Sequence, residues 1–386
     1  MNEIIAISIR EVKRQTKSKG LLFILIAWPF LAALLLGGIF SHKVVTQMPI
    51  AVINKDGGQL SRTLIRFTKA SRSFDTQYYL DSTEEIQDYI FRQKIVAALY
   101  IPKDFEVNVK TGKGETLTLF VDGANLVTAN LSIAEMKTIV ATIAAGAKLK
   151  ILRKLGYSKD KALALISPVK MDVTKNFNPG MNYLNYMPPG TWMALLHQLI
   201  LLFASLVIIR EKERNSFEEL WNLSKHNWTA LIIGKLLPYF LLFFIYFEIF
   251  YRLLFPLFGI EFKGNYQLML VVSSAFLYCT LSLGLFISVS VKRSIDAIKG
   301  VLLIGSPAFL ISGYSWPLAY MPWITKVFSY MIPLTYFIQS YRTIYQQGGG
   351  LAETWHNLLI LIVYGTICLL ISIVLMKKDM RGASDV

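Results

Sequence analysis

Six apolar blocks restrict this chain more than any other feature: Leu21–Phe40, Thr191–Ile209, Ala230–Pro256, Gln267–Val291, Ile298–Gly313 and Leu358–Met376, divided by polar stretches. A bilayer core about 30 Å thick is crossed by about 20 apolar residues of helix, so the blocks predict six transmembrane helices. The fifth is the shortest and carries Pro307. Hydrophobic residues make up 54% of the 386 and charged residues 17%, against about 45–50% and about 25% in soluble domains, which argues against an ordinary soluble enzyme. The first block resembles a leader, but it is longer than the about 7–15 apolar residues of such a segment. Gly37-Gly38-Ile39-Phe40-Ser41 also lacks the small-x-small cleavage pattern, so a retained anchor at 21–40 is expected.

The formal charge of +15 could point to nucleic acid, but much of it flanks the apolar blocks and sets topology. Lys and Arg in short loops favour the cytoplasmic side. Alternate segments between the predicted spans carry fifteen of them (Arg10 to Lys19, Arg210 to Lys225, Lys292 to Lys299, Lys377 to Arg381) against three (Lys263, Lys326 and Arg342). Both termini, including the tail 377–386, are therefore expected in the cytoplasm, and the long region 41–190 outside. In residues 1–20, Ile5, Ile9 and Val12 share one helical face and Arg10, Lys13, Arg14 and Lys17 another, which predicts a cytoplasmic amphipathic helix in the headgroup layer. Glu248 and Arg252, spaced for pairing on one helix, fall near the outer end of the third span. Lys235, Asp296 and Lys299 fall near cytoplasmic ends. These read as interfacial charges, so an ion-coupled carrier has little support.

Residues 41–190 form one polar block, large enough for a core of its own. Pro49–Asn54, Phe74–Leu80, Ile95–Ile101 and Thr116–Val121 read as strands. Helices are expected through Leu60–Phe67, after Ser82 and Glu85 at capping-box spacing, and from about Ala124 to Leu155, followed by a basic piece to Ile166. Alternating strands and helices imply an inserted extracytoplasmic α/β domain. Its single histidine, His42, and lack of cysteine offer no metal cage or nucleophilic triad. Asp56, Asp81, Asp104 and Asp122 stand at strand exits, where turn roles suffice, and Lys148, Lys150, Arg153, Lys154, Lys159 and Lys161 form a basic cluster suited to a solvated face, anionic headgroups or a partner. Cys279 and Cys368 both lie in apolar blocks, so no disulfide framework is expected.

Four stretches carry a resemblance. The polar block opens with Ile50-Ala51-Val52-Ile53-Asn54-Lys55-Asp56 and reaches Ile101-Pro102-Lys103-Asp104-Phe105. Asn178-Pro179 and Tyr186-Met187-Pro188-Pro189-Gly190 precede the second span. Arg210-Glu211-Lys212-Glu213-Arg214-Asn215-Ser216-Phe217-Glu218 follows it, and Ser312-Gly313, Trp316-Pro317, Met321-Pro322 and Pro333 lie between the last two. In this order they resemble the type 2 membrane subunit of ATP-binding-cassette exporters over nearly the whole chain, with Asn215 and Ser216 standing where that family has glycine and threonine. The resemblance implies an exporter permease in the bacterial inner membrane, with a five-helix domain at 191–376. Its partners would be a cytoplasmic ATP-binding-cassette ATPase, a second copy or paralogue, membrane lipid and, in some systems, a periplasmic adaptor and an outer-membrane channel, with no nucleic acid.

The residues agree with a divided machine. Gly112-Lys113 and Gly234-Lys235 lack the remainder of a phosphate-binding loop. The chain is therefore expected to hold no cofactor, with ATP and magnesium on the partner, and to be a transporter subunit rather than an enzyme. Glu211, Lys212, Glu213, Arg214, Phe217, Glu218 and Trp221, within the loop 210–228, combine apolar anchors with charge and are the expected contact with that ATPase. The segment 314–345, led in by Gly313, carries Trp316, Pro317, Met321, Pro322, Trp323 and Pro333 and is expected to be an outer re-entrant hairpin. If two copies enclose a pore, Phe203, Ser205, Ser306 and Phe309 are expected to line it, which suits an amphipathic or hydrophobic substrate. Competing readings are a non-transporting receptor or scaffold whose outer domain binds an envelope partner and, third, the ion-coupled carrier.

Overall fold

The structure, a computed structural model, describes residues 1–41, 44–169, 171 and 173–384. His42 and the last two residues of the tail lie outside the described residues. The chain divides into two compact units, Met1–Lys43 with Lys175–Val386, and Val44–Thr174. The first unit opens with α1 (Asn2–Thr16) and α2 (Lys19–Ile39), the latter containing Pro29.

The unit Val44–Thr174 is built on a four-stranded sheet. In chain order it contains β1 (Met48–Asn54), α3 (Gln59–Ala70), β2 (Phe74–Tyr79), α4 (Glu85–Phe91), β3 (Ala97–Ile101), α5 (Phe105–Lys110), β4 (Thr118–Val121), α6 (Leu126–Lys154) and α7 (Lys159–Ile166). The strand order is β2-β1-β3-β4, with β1 parallel to β2 and β3, and β4 antiparallel to β3. Central β1 is buried on both faces, as a near-continuous apolar run requires: Ile50 and Val52 face a core closed by Leu64, Phe105, Met136 and Ile139, while Ala51 and Ile53 face Leu80, Ile86 and Ile95. The strand-exit acids serve local geometry. Asp56 Oδ2 accepts from the Gly58 amide at 3.1 Å, Asp122 Oδ1 accepts from the Ala124 amide at 3.0 Å, and Asp104 takes a positive φ just before α5. Glu85 accepts from the Ser82 amide at 3.0 Å, as its capping spacing predicts. Helix α5 is not expected from sequence, because Pro102 reads there only as a stop.

The first unit continues with α8 (Tyr183–Ser205), α9 (Ile209–Glu213), α10 (Phe217–Leu223), α11 (Trp228–Ile249), a π-helical turn at Phe250–Leu254 and α12 (Phe255–Leu257). Then follow α13 (Tyr266–Ser290), α14 (Ser294–Ile311), α15 (Trp323–Tyr330), α16 (Pro333–Tyr341), a second π-helical turn at Arg342–Gln346, and α17 (Leu351–Ser384). Three long helices begin at an asparagine whose side chain accepts from the first-turn amides: Asn182 for α8, Asn227 for α11 and Asn265 for α13. Helices α8 and α13 form the packed centre, whereas α2, α14 and α17 turn apolar side chains such as Leu35, Leu303 and Val374 outward. Among the described residues, seven helices are long and apolar enough to cross a membrane. Six of them contain the apolar blocks, and the seventh is α6.

Candidate functional site: a buried ion cluster at one end of the helical unit

The loop signature folds as α9 and the start of α10, joined by a turn through Asn215 at φ +53°. Asparagine tolerates this left-handed conformation far better than most residues, which explains how it stands where the resembling family has glycine. Ser216 supplies the hydroxyl of the neighbouring threonine: its Oγ donates to Glu211 Oε2 at 2.5 Å.

Glu211 is not on the loop's exterior. It has no exposed side-chain surface and binds Arg10 at 3.0 Å, Arg14, and Lys235 at 2.5 Å. Lys235, 2% exposed in its side chain, also binds Glu11, which is 4% exposed. Tyr239 donates to Glu11 at 2.6 Å and Gln15 donates to it at 3.0 Å. Burial alone would raise the Glu11 carboxyl, but the Lys235 ammonium and the Tyr239 and Gln15 hydrogen bonds outweigh it, holding Glu11 below its ordinary value. The cluster ties α1, the start of the loop and α11 together. Helix α1 reaches α11 closely because residue 234 is glycine: a Cβ there would sit 2.7 Å from the Ile7 Cβ, and Ser8 Oγ donates to the Gly234 carbonyl at 2.9 Å. The packed face of α1 is therefore Ile7 and Glu11, whereas Ile5, Ile9 and Val12 are exposed.

The same end gathers two further segments. Glu213 accepts from the Ser294 amide at 2.6 Å and so caps α14, and Lys212 binds Asp379 of α17 at 2.5 Å. The four segments that the Lys and Arg distribution assigns to one side thus meet around one loop. Glu213, Arg214 and Glu218 are exposed on it; Phe217 and Trp221 are partly buried against the bundle, with the Trp221 ring 4.3 Å from Trp228. As a correction, Glu211 holds the loop to the bundle rather than presenting charge outward. Glu11, Arg10, Arg14 and Tyr239 were not legible as a site. The signals were Lys235 inside an apolar block and Glu11 one turn from Ile7 on the same face.

At the other end of α8, Tyr314 is fully buried under Gly190, its ring stacked on Tyr186 at 5.5 Å. The two tyrosines exchange bonds, each hydroxyl donating to the other's carbonyl. Arg342 lies 4.8 Å from the Tyr314 ring and donates to its carbonyl at 3.0 Å. Gly313 ends α14 at the turn into this segment. Beyond it, Pro317 precedes a single 3-10 turn, Pro322 precedes α15 and Pro333 begins α16, while Trp316 and Trp323 are exposed and Met321 is buried. The two π turns bring Tyr251 within 5.7 Å and Phe255 within 5.2 Å of Tyr345, ring centre to ring centre. Glu248 pairs with Arg252 at 2.8 Å, as their spacing predicts, and accepts from Tyr266 at 2.7 Å.

Phe203 and Ser205 are buried inside the chain, Phe203 against Tyr239 at 6.1 Å, because α8 is the central helix. They fill the core and, contrary to expectation, offer no surface to a pore. Ser306 is exposed and Phe309 partly so, on the outward-facing α14.

Among the described residues, seven helices long and apolar enough to cross a membrane point to a multi-pass membrane protein. Residues 19–374 match the family described as ABC-2 family transporter protein, and the chain belongs to that family as a transmembrane ABC transporter permease. Membership implies a partner ATPase. The chain is 24% identical to the probable multidrug ABC transporter permease YbhR of Escherichia coli K12 over 92% of each chain. It is 22% identical to YbhS, likewise a probable multidrug ABC transporter permease of that strain, over 77% of this chain and 79% of that one. It is 21% identical to the inner membrane transport permease YhhJ over 98% of each.

Proposed function

We propose that this chain is the membrane-spanning half of an exporter that moves an amphipathic or hydrophobic substrate out of the cytoplasm or inner leaflet, driven by ATP hydrolysis on a separate cytoplasmic subunit. The observation that carries the reading is the way the loop 210–228 is fixed: buried ion pairs join it to α1 and α11, the Glu213 hydrogen bonds to α14, and an exposed ion pair to α17. A push on its exposed residues is therefore delivered to four helices. Two relatives bear the name multidrug permease, which supports an apolar cargo. In this reading six helices cross a bacterial inner membrane with both termini in the cytoplasm, and the Val44–Thr174 unit lies outside. Helix α6 does not cross, since Met136, Ile139 and Ile143 pack against the sheet. A second copy or paralogue completes the path, drawing on Ser306 and the outward face of α14, and the aromatic hairpin sits at the outer headgroups.

The test is affinity purification of the tagged full chain from its native membranes, followed by identification of co-purifying nucleotide-binding proteins. An ABC ATPase should be recovered from wild type, and Glu218→Lys and Phe217→Ala should each reduce its recovery several-fold at matched expression. Recovery of an envelope protein with no ATPase would replace this reading with a membrane scaffold.

A further inference from the structure

Neither the permease reading nor its partners use the basic end of α6 or the space beneath it. Within the unit Val44–Thr174, a cleft of about 640 Å³ opens between α6 and the layer formed by α3, α5 and β4. Its walls are apolar, with Leu64, Phe105, Leu119 and Val140 among them. Domain interiors are normally packed to crystal density, and the space falls in the about 300–1,000 Å³ range of ligand pockets. At Leu60 and Ala147 it joins a second space of about 410 Å³, along which stand Lys110, Lys150 and Lys154. Lys150 and Lys154 are exposed, four residues apart and so on one helical face, and neither is in an ion pair among the described residues. The acid on this side, Glu106, is taken up by Lys110 and by the Leu60 amide at 3.0 Å. Glu115 also lines the cleft and accepts from Asn108 Nδ2 of α5 at 2.6 Å, while Lys137 stands on the part of α6 before Val140, away from this mouth. From Val140 to Lys154 is about 21 Å of helix, so the site is elongated, apolar along its length and cationic at one mouth.

We propose that this cleft binds one acyl chain of a single-chain anionic amphiphile, its tail along α6 and its negative head at Lys150 and Lys154. The chemistry follows from the lining: an apolar trough excludes a sugar or an ion, and two unpaired ammonium groups at one end, against the single Lys137 farther along, select a negative head there. The inference is independent of what the transmembrane helices carry.

The test uses the full chain in nanodiscs of zwitterionic lipid and a palmitate analogue with a diazirine at its methyl end. After photolysis, adducts are mapped by mass spectrometry. Adducts are expected on peptides covering 105–119 and 133–147, reduced at least five-fold by excess palmitate. The surface variant Lys150→Glu with Lys154→Glu should reduce them at least five-fold, while adducts on lipid-facing helices such as α17 stay unchanged as an internal control. Ala147→Trp, which fills the junction of the two spaces, should do the same. A monoacylglycerol carrying the same photoreactive chain should label the cleft at least five-fold less. Adducts confined to the transmembrane helices, cleft adducts unchanged in the lysine variant, equal labelling by the neutral analogue, or a protein partner covering the cleft would each overturn the proposal.

Discussion

The two ends of α8 are held by different physics. At one end Glu11, Glu211, Lys235, Arg10 and Arg14 make a buried ionic knot. At the other, Tyr186, Tyr314, Arg342 and Gln346 pack rings and share backbone acceptors under Gly190. Tyr186 and Glu211 are separated by roughly 35 Å of helix. Ion pairs out of water are stiff, because removing one member strands the other in a poor solvent. Stacked rings have shallow, broad optima and tolerate sliding. The ionic end is therefore suited to receive force without losing register, and the aromatic end to yield.

The largest expected effect tests the stiff end. Lys235→Met leaves Glu11 without its cation and Glu211 with one fewer, and should cost about 3–5 kcal/mol, the usual penalty for breaking a buried pair. It should appear as a large drop in unfolding temperature of the purified protein and be little affected by salt. Glu11→Gln added to Lys235→Met should recover much of the loss, because the unpaired charge is gone. If the double variant is no better than the single, the pair is not what holds α1 to α11.

Gly190→Ala tests the yielding end. The added methyl would sit 2.3 Å from the Tyr314 ring, so the ring must move and the stack on Tyr186 must open. Overpacking of this kind typically costs about 1–3 kcal/mol, less than the loss of Lys235. An unfolding-temperature loss greater than that of Lys235→Met would reverse the comparison and make the aromatic end the rigid one.

How much of this was legible in sequence follows from the range of each interaction. The strands of the α/β unit depend on local apolar runs and were legible; the asparagine caps Asn182, Asn227 and Asn265 are equally local, but the apolar block alone starts at Thr191 and so missed the first turns of α8. The Glu248–Arg252 pair is also local. The ion cluster is not, since Lys235 and Glu11 are 224 residues apart and a charged residue in an amphipathic segment reads as surface. The same bias placed Glu211 outside. Phe203 and Ser205 were assigned to a pore because composition cannot separate a central helix from a lining one. The turn at Asn215 was marked in sequence as a departure from glycine, and its positive φ supplies the reason.

The smallest effect comes from a contact at the ionic end that lacks burial. Lys225 Nζ lies 2.7 Å from Glu3 Oε1, linking the start of α1 to the segment after α10, with the lysine largely exposed. The hydrogen bond from Lys225 is the main cause that lowers Glu3 to about 2, and the same contact raises Lys225. A carboxyl with a lowered folded-state pKa stabilises the fold above its unfolded value of about 4.5, and that contribution fades as pH falls toward about 2. The lysine's contribution is complete below its own unfolded value and is lost only as pH rises through its higher folded value. Between these limits the pair should be insensitive to pH. Exposed pairs are screened, the Debye length being about 8 Å at physiological salt, so Glu3→Gln should change the unfolding temperature little at neutral pH and low salt, and less at high salt. Measured against wild type from pH 7 downward, the difference between the two proteins should shrink as Glu3 protonates. A difference that persists unchanged to the lowest pH, or one as large as that of Lys235→Met, would mean that Glu3 acts through something other than its charge, and that burial is not what separates the strong contacts of this end from the weak ones.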